Sequence, residues 1–235
     1  MRFFDAIINT LFPPRCLGCG KNITTQSEVL CSACRKKIIL PDTLFCGFCE
    51  ARLPLGKKIC HLDTPYILGS VARYEESVIK KMILALKFRR SEFVGPFLGS
   101  VLADYIENLN PRPAVFKNEN TSIIPIPLSR ERLRERGFNQ ASIIAKAFAE
   151  KTKLPILENV LTRTRNTPPQ SQSENRKDRF QNVENAFSLQ HTANLEGKRV
   201  ILIDDVVTTG ATLRSASETL KQNGVKEIIA LTIAR

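Results

Sequence analysis

At 235 residues, 43% of them hydrophobic and 25% charged, the chain has the composition of a folded globular protein with room for one ordinary domain and a small attachment. Those figures exclude global disorder, a collagen-like repeat and a coiled-coil rod. With 35 Lys and Arg against 23 Asp and Glu, the formal charge is +12, which favours phosphorylated or polyanionic partners but also serves solubility alone.

The opening segment, MRFFDAIINTLFPP, sets Phe3, Phe4, Ile7, Ile8, Leu11 and Phe12 at helical spacing, which predicts a short helix packing an apolar face on its own protein. It is too short, and too interrupted by Asp5, to be a signal peptide or membrane span, and no other segment qualifies as a span. From Pro13 to about Asp63, turn residues and cysteines replace periodic apolar runs, so this small module has little core and needs a metal to hold it. Its cysteines read Cys16-x2-Cys19, eleven residues, Cys31-x2-Cys34, and then Cys46-x2-Cys49, ten residues, Cys60-x2-Asp63. The unit is repeated, and each copy resembles a zinc ribbon, in which two tight turns present four ligands to Zn2+. Cys16, Cys19, Cys31 and Cys34 form a complete set. In the second, an Asp63 oxygen stands in for a fourth sulfur beside Cys46, Cys49 and Cys60, with His61 competing for that place and a vestigial, metal-free ribbon as the alternative. Four protein ligands leave no open position, so the expected role is folding rather than chemistry. Thiolates spaced for a metal rather than for disulfides imply a reducing compartment, the cytoplasm.

After Pro65 the pattern predicts a strand over Tyr66 to Tyr74 and an amphipathic helix over Ser77 to Phe88, with Lys87, Arg89 and Arg90 at its end. A second helix follows from about Phe93 to Leu109, and then a loop with two prolines. Strands are predicted over Ile123 to Pro127, Val160 to Arg165, Ala186 to Leu189, Arg199 to Asp205 and Glu227 to Ala234, with helices over Asn139 to Lys151 and Thr212 to Asn223. The last strand is nearly continuous in apolar residues, as a parallel strand buried on both faces is. The fold class is therefore α/β, a mainly parallel sheet flanked by helices, with residues 1–64 forming the helix and double ribbon and residues 65–235 the α/β domain. The polar stretch from Arg165 to Val183 reads equally as a surface insertion or as a mobile lid over an active site.

Chemistry concentrates in RVILIDDVVTTGATL, Arg199 to Leu213. A buried strand delivers Asp204 and Asp205 to its carboxyl end, where ligands of open α/β sheets bind. Val206 and Val207 lead into Thr208, Thr209, Gly210, Ala211 and Thr212, whose hydroxyls, backbone N–H groups and following helix N-terminus suit a phosphate. Paired carboxylates beside an anion pocket are reconciled by a sugar phosphate, whose hydroxyls meet the carboxylates while its phosphate meets the N–H donors.

This run resembles the signature with which type I phosphoribosyltransferases hold 5-phosphoribosyl-1-pyrophosphate. PIPLSRERLRERGFNQ, Pro125 to Gln140, and the segments around Lys87 and from Arg163 to Asn182 resemble the ComF-type competence proteins, in which two cysteine ribbons also precede the domain. Asp63 or His61 stands where that family would place a final cysteine. The resemblance implies a type I phosphoribosyltransferase fold, Asp204 and Asp205 on the ribose hydroxyls directly or through Mg2+, and Thr208 to Thr212 on the 5-phosphate. It sets the arginines after the first core strand where the leaving pyrophosphate is held, Arg136 and Arg130 first among them, and gives Lys87 and Arg163 to the same site and its lid. Such a reaction rests on positioning and charge neutralisation, and no nucleophilic Ser, Cys or His is required. Two functions follow as expectations: a cytoplasmic Mg2+-dependent phosphoribosyltransferase of unspecified acceptor, or a non-catalytic accessory that binds single-stranded DNA or competence and recombination proteins beside a sensory or vestigial pocket. Residues 121–181 carry twelve Lys and Arg against six acids, which places excess charge beside the pocket in either case.

Overall fold

The computed structural model describes residues 13–25, 28–53, 60–61, 63–88, 93–117, 120–164, 186–190 and 194–235. The expected N-terminal helix, the greater part of the polar stretch after Arg163, and Arg89 and Arg90 lie outside the described residues.

Two strands organise the domain, β6 (Arg199–Val206) and β7 (Glu227–Ala234), both apolar on both faces. They pair in parallel, and β2 (Ile67–Ala72) and β3 (Thr121–Pro125) add in parallel on either side. A two-residue strand, β1 (Phe45–Cys46), pairs antiparallel with β2 at one edge, giving the order β1-β2-β7-β6-β3. Successive side chains of a strand point to opposite faces, so Val200 and Leu202 enter one core and Ile201 and Ile203 the other. On the first face, α6 (Ala211–Gln222) packs Leu213, Ala216 and Leu220. On the second lie α2 (Ser77–Phe88), α3 (Val94–Asn108) and α5 (Gln140–Thr152), contributing Ile79, Met82, Leu98, Leu102, Ile144 and Phe148. Fully buried, each such side chain is worth roughly 1.5–3 kcal/mol of transfer free energy. Gly99 lets α3 and α5 touch, since a Cβ there would lie 2.5 Å from the Ile144 carbonyl oxygen. A separate hairpin of β4 (Leu161–Arg163) and β5 (Phe187–Leu189) flanks the domain.

The ribbon region carries one short helix, α1 (Ser32–Arg35), and is clamped to this sheet. Besides the β1–β2 ladder, Tyr105 Oη donates to Thr43 O at 2.6 Å, Lys81 Nζ donates to Gly18 O at 2.6 Å, and the Arg235 guanidinium lies 3.6 Å from the centre of the Phe45 ring. The expected division near residue 64 thus falls between two hydrogen-bonded strands. The helix at Ser77–Phe88 and the strand at Glu227–Ala234 match their predicted bounds, and the other predicted elements of the domain differ by one or two residues at an end. In the α/β domain, two stretches with no predicted helix or strand contain structure: a 3-10 turn at Ala114–Lys117, and a helix, α4 (Arg130–Arg136), in the arginine-rich run. No helix among the described residues is long and apolar enough to cross a membrane.

Candidate functional site

The alternation of β6 continues past its apolar part, so Asp204 leaves on the α6 face and Asp205 on the α2 face. Asp205 is buried and its Oδ2 pairs with Lys87 Nζ, at the end of α2, at 3.0 Å. Asp204 Oδ1 accepts from the Asp205 backbone N–H at 2.8 Å. Burial pushes the Asp204 carboxyl from its usual 3.8 up to about 7, with the Asp205 charge adding to the effect and Lys87 and Arg163 opposing it. The two carboxylates thus sit beside one close cation, and the pair is poised to lose repulsion when a hydroxyl donor or another cation arrives.

The loop beyond is anchored underneath. Val207 is buried and its N–H donates to Ala234 O at 2.9 Å. Thr209 Oγ1 accepts from Ala211 N at 3.4 Å, closing the turn that leads into α6, whose N-cap is Gly210. Gly210 has φ 76°, a left-handed conformation that costs a residue with a side chain ~1–2 kcal/mol. Thr208 and Thr212 face a cleft of about 330 Å³ that Asp204, Asp205 and Val206 also line, so hydroxyls and the helix N-terminus converge on the space beside the carboxylates.

The opposite wall is basic. Ser129 caps α4 by accepting from Arg132 N at 3.3 Å, and Gly137, with φ 80°, ends it. Residues four apart share a helix face, and the face turned to the cleft carries Arg132 and Arg136. Arg130, expected among the pyrophosphate ligands, is exposed and does not line the cleft, because two residues of helix turn it about 200° from Arg132. Arg163, from β4, completes the wall, its guanidinium 5.7 Å from the Phe187 ring centre. Burial, reinforced by the charge of Arg132, lowers its pKa, so a polyanion between the arginines would relieve both strains. Asn139 caps α5 through Ala141 N and donates to Ile126 O at 2.9 Å, holding the end of β3 against this wall.

The structure therefore brings Asp204, Asp205, Val206, Thr208, Thr212, Lys87, Arg136 and Arg163 to one cleft. Val207, Thr209, Gly210 and Ala211 shape the loop from behind. Sequence reasoning missed Gln140, which is 2% exposed, lines the cleft and accepts from Arg136 Nη1 at 3.2 Å. A guanidinium only donates, so this bond fixes Oε1 towards Arg136 and leaves the Gln140 Nε2 donor without a protein partner. No sequence spacing pointed to it, since Gly137 and the extended Asn139 break the helical phase between Arg136 and Gln140, and only the packing of α4 against the start of α5 brings the two together.

The cysteines form two groups, each with its ligand atoms within 4.8 Å of one another: Cys16, Cys19, Cys31 and Cys34, and Cys46, Cys49, Cys60 and His61. In the second, His61 Nδ1 lies 3.1 Å from Cys60 Sγ and 3.5 Å from Cys46 Sγ, and Cys49 Sγ lies 3.4 Å from Cys60 Sγ. A tetrahedral zinc with bonds of about 2.3 Å to sulfur sets ligand atoms about 3.8 Å apart, and the Cys19–Cys31 sulfurs stand at 3.8 Å. Both sets fit that ion. Asp63, expected as the fourth ligand of the second set, is exposed and outside it. The residue adjacent to Cys60 reaches the cluster, and the one three positions on does not.

A phosphoribosyl transferase domain matches residues 132–235, and a double zinc ribbon domain matches residues 7–61. Fold, cleft and cysteine clusters thus define a type I phosphoribosyltransferase domain preceded by a double zinc ribbon region. Competence protein F of Haemophilus influenzae is 41% identical over 115 residues, 48% of this chain and 50% of that one. Competence protein ComFC of Bacillus subtilis is 31% identical over 156 residues, 66% of this chain and 58% of that one. DNA utilization protein YhgH of Escherichia coli is 28% identical over 185 residues, 79% of each chain. The match thus spans about half the length of the first relative and four-fifths of the third. The chain thus combines the two domains that these matches name and is similar to competence and DNA utilization proteins.

Proposed function

We propose that this chain binds 5-phosphoribosyl-1-pyrophosphate with Mg2+ in the cleft at the end of β6, and that it serves the cytoplasmic handling of incoming single-stranded DNA during natural competence. The observation that carries the ligand is the division of one cleft into a carboxylate pair, a threonine-lined loop at a helix N-terminus, and a wall of three arginines. Ribose hydroxyls donate to Asp204 and Asp205. The 5-phosphate takes the hydroxyls and N–H groups of Thr208 to Thr212, and Arg132, Arg136 and Arg163 take the pyrophosphate. The Gln140 Nε2 donor adds a bond to an oxygen on that side.

The carboxylates fit Mg2+ as well as ribose, since two hard oxygen donors, one with its pKa held up by burial and then by the charge of the other, gain from a divalent cation. Bound there, Mg2+ would neutralise charge on the pyrophosphate as it leaves. The chain's own part is to align the ribose, hold the leaving group in a cationic wall and keep water from the anomeric carbon.

A second reading, a non-catalytic accessory with a sensory or vestigial pocket, is favoured by the names of the relatives, which concern competence and DNA utilization, and by the +12 charge. Calorimetric titration with 5-phosphoribosyl-1-pyrophosphate and Mg2+, on the wild type and on the Asp204→Asn/Asp205→Asn double variant, with and without single-stranded DNA, separates the two. Binding that the double variant loses supports the pocket and directs the search to an acceptor. No binding of the sugar phosphate, with DNA still bound, overturns the first reading in favour of the second.

A further inference from the structure

The second cysteine cluster touches the phosphate loop. Its first turn, Cys46-Gly47-Phe48-Cys49, presents the Gly47 carbonyl to Tyr66, whose Oη donates to it at 3.0 Å. Tyr66 is 3% exposed, and the far side of its hydroxyl abuts Gly210: a Cβ built there would stand 2.9 Å from Tyr66 Oη and 3.8 Å from Gly47 O. A Cβ on Gly47 would lie 2.7 Å from both the Tyr66 ring and the Tyr66 carbonyl oxygen, and 2.9 Å from Thr64 Cγ2. Turn, phenol and loop are therefore stacked without spare volume, and the two glycines are the residues that permit the approach. Cys46 is at once a cluster residue and the end of β1, paired with Ile67 directly after Tyr66.

We propose that Tyr66 is a positioning residue through which metal at Cys46, Cys49, Cys60 and His61 sets the shape of the loop from Val207 to Thr212, and so its affinity for a ribose phosphate. This rests on the reading of that loop as a phosphate site. One ion holding Cys46 and Cys49 fixes the turn between them, and with it the Gly47 carbonyl. When the ion leaves, the turn loosens and the buried phenol loses its acceptor. An unpaired buried hydroxyl is costly, so the ring shifts, and the loop it supports at Gly210 shifts with it. The first cluster meets the domain elsewhere: Cys16 and Cys34 share a core with Cys46, but the turn from Cys16 to Cys19 is held at its Gly18 carbonyl by Lys81 of α2, whereas the turn from Cys46 to Cys49 is held at its Gly47 carbonyl by Tyr66. Coupling of two ligands through one element is reciprocal, so a ribose phosphate must also tighten the second metal.

The test uses the full chain and ribose 5-phosphate as probe, with affinity read by calorimetry and zinc retention by competition with a chromophoric chelator. In the wild type, removing the second zinc weakens ribose 5-phosphate about five- to tenfold, and saturating ribose 5-phosphate strengthens zinc retention by the same factor. His61→Ala, at an exposed ligand, reproduces the weakening, while Cys16, Cys19, Cys31 and Cys34 keep one equivalent of zinc. Tyr66→Phe keeps both metals and binds ribose 5-phosphate at the weaker level whether or not the second zinc is present. A purely structural role for Tyr66 would lower stability and leave the reciprocal factor in place, which overturns the proposal. So does ribose 5-phosphate affinity that stays within twofold when the second zinc is removed. If the fully zinc-loaded wild type binds no ribose 5-phosphate, the ligand reading itself falls, and this proposal with it.

Discussion

Asn at position 204 should stabilise the protein at neutral pH while destroying its ligand site. The fold raises the Asp204 pKa from 3.8 to about 7, first by burial and second by the charge of Asp205. About three pH units at ~1.4 kcal/mol each set a ceiling of about 4 kcal/mol, and because Asp204 keeps partial contact with solvent, screening reduces this to about 2 kcal/mol. The sign follows from proton binding. Between pH 4 and 7 the folded state binds this proton more tightly than the unfolded one, so the stability it confers is complete below about pH 4 and lost as pH rises through 7. Asp204→Asn removes the ionisation and retains an oxygen to accept the Asp205 N–H. Thermal melts of the zinc-loaded protein at constant ionic strength should give equal midpoints near pH 4 and a variant that is higher by about 4–8 °C at pH 8. The gap should open between pH 5 and 7. Equal midpoints at pH 8, or a gap that does not change with pH, would show that Asp204 is not the strained acid of the cleft.

Three further expectations rest on separate parts of the molecule. Gly210→Ala forces a side chain into a left-handed conformation and against the Tyr66 hydroxyl, so the melting temperature should fall by several degrees and ribose 5-phosphate affinity at least tenfold; unchanged affinity in calorimetry would remove the loop from the phosphate site. Arg136→Ala should weaken pyrophosphate binding about tenfold or more, whereas Arg130→Ala should leave it within twofold, and equal losses would mean that salt-dependent attraction rather than the cleft wall holds the ligand. Cys16→Ser should remove one equivalent of zinc, counted by atomic emission, and expose the ribbon to limited proteolysis, since structural zinc contributes folding free energy on the order of 10 kcal/mol in small modules. Unaltered metal content would count against the four-cysteine site.

Much of the fold was legible because its signals are local. The strand over Arg199–Val206 and the helix over Ser77–Phe88 announce themselves by period and composition, and Asp204, Asp205 and the threonine-glycine run follow from their place after a buried strand. The arginines were harder. Arg130, Arg132, Arg134 and Arg136 stand in one run, and only the turn of α4, set by the Ser129 cap and by Gly137, chooses Arg132 and Arg136 over Arg130. Gln140 was invisible for the same reason, since its partner and its orphaned donor exist only once two helices meet across a glycine.

By itself, then, the sequence determined the α/β class from its alternating periods, and the two cysteine units, the acidic pair and the threonine-glycine loop after it, each coded within about twenty neighbouring residues. Tertiary structure alone decided the strand order, the choice of His61 over Asp63, the basic wall, and the contact of Gly47, Tyr66 and Gly210. These depend on residues far apart in the chain, whose distances are set by which strands pair and which faces are buried, and no local pattern records that.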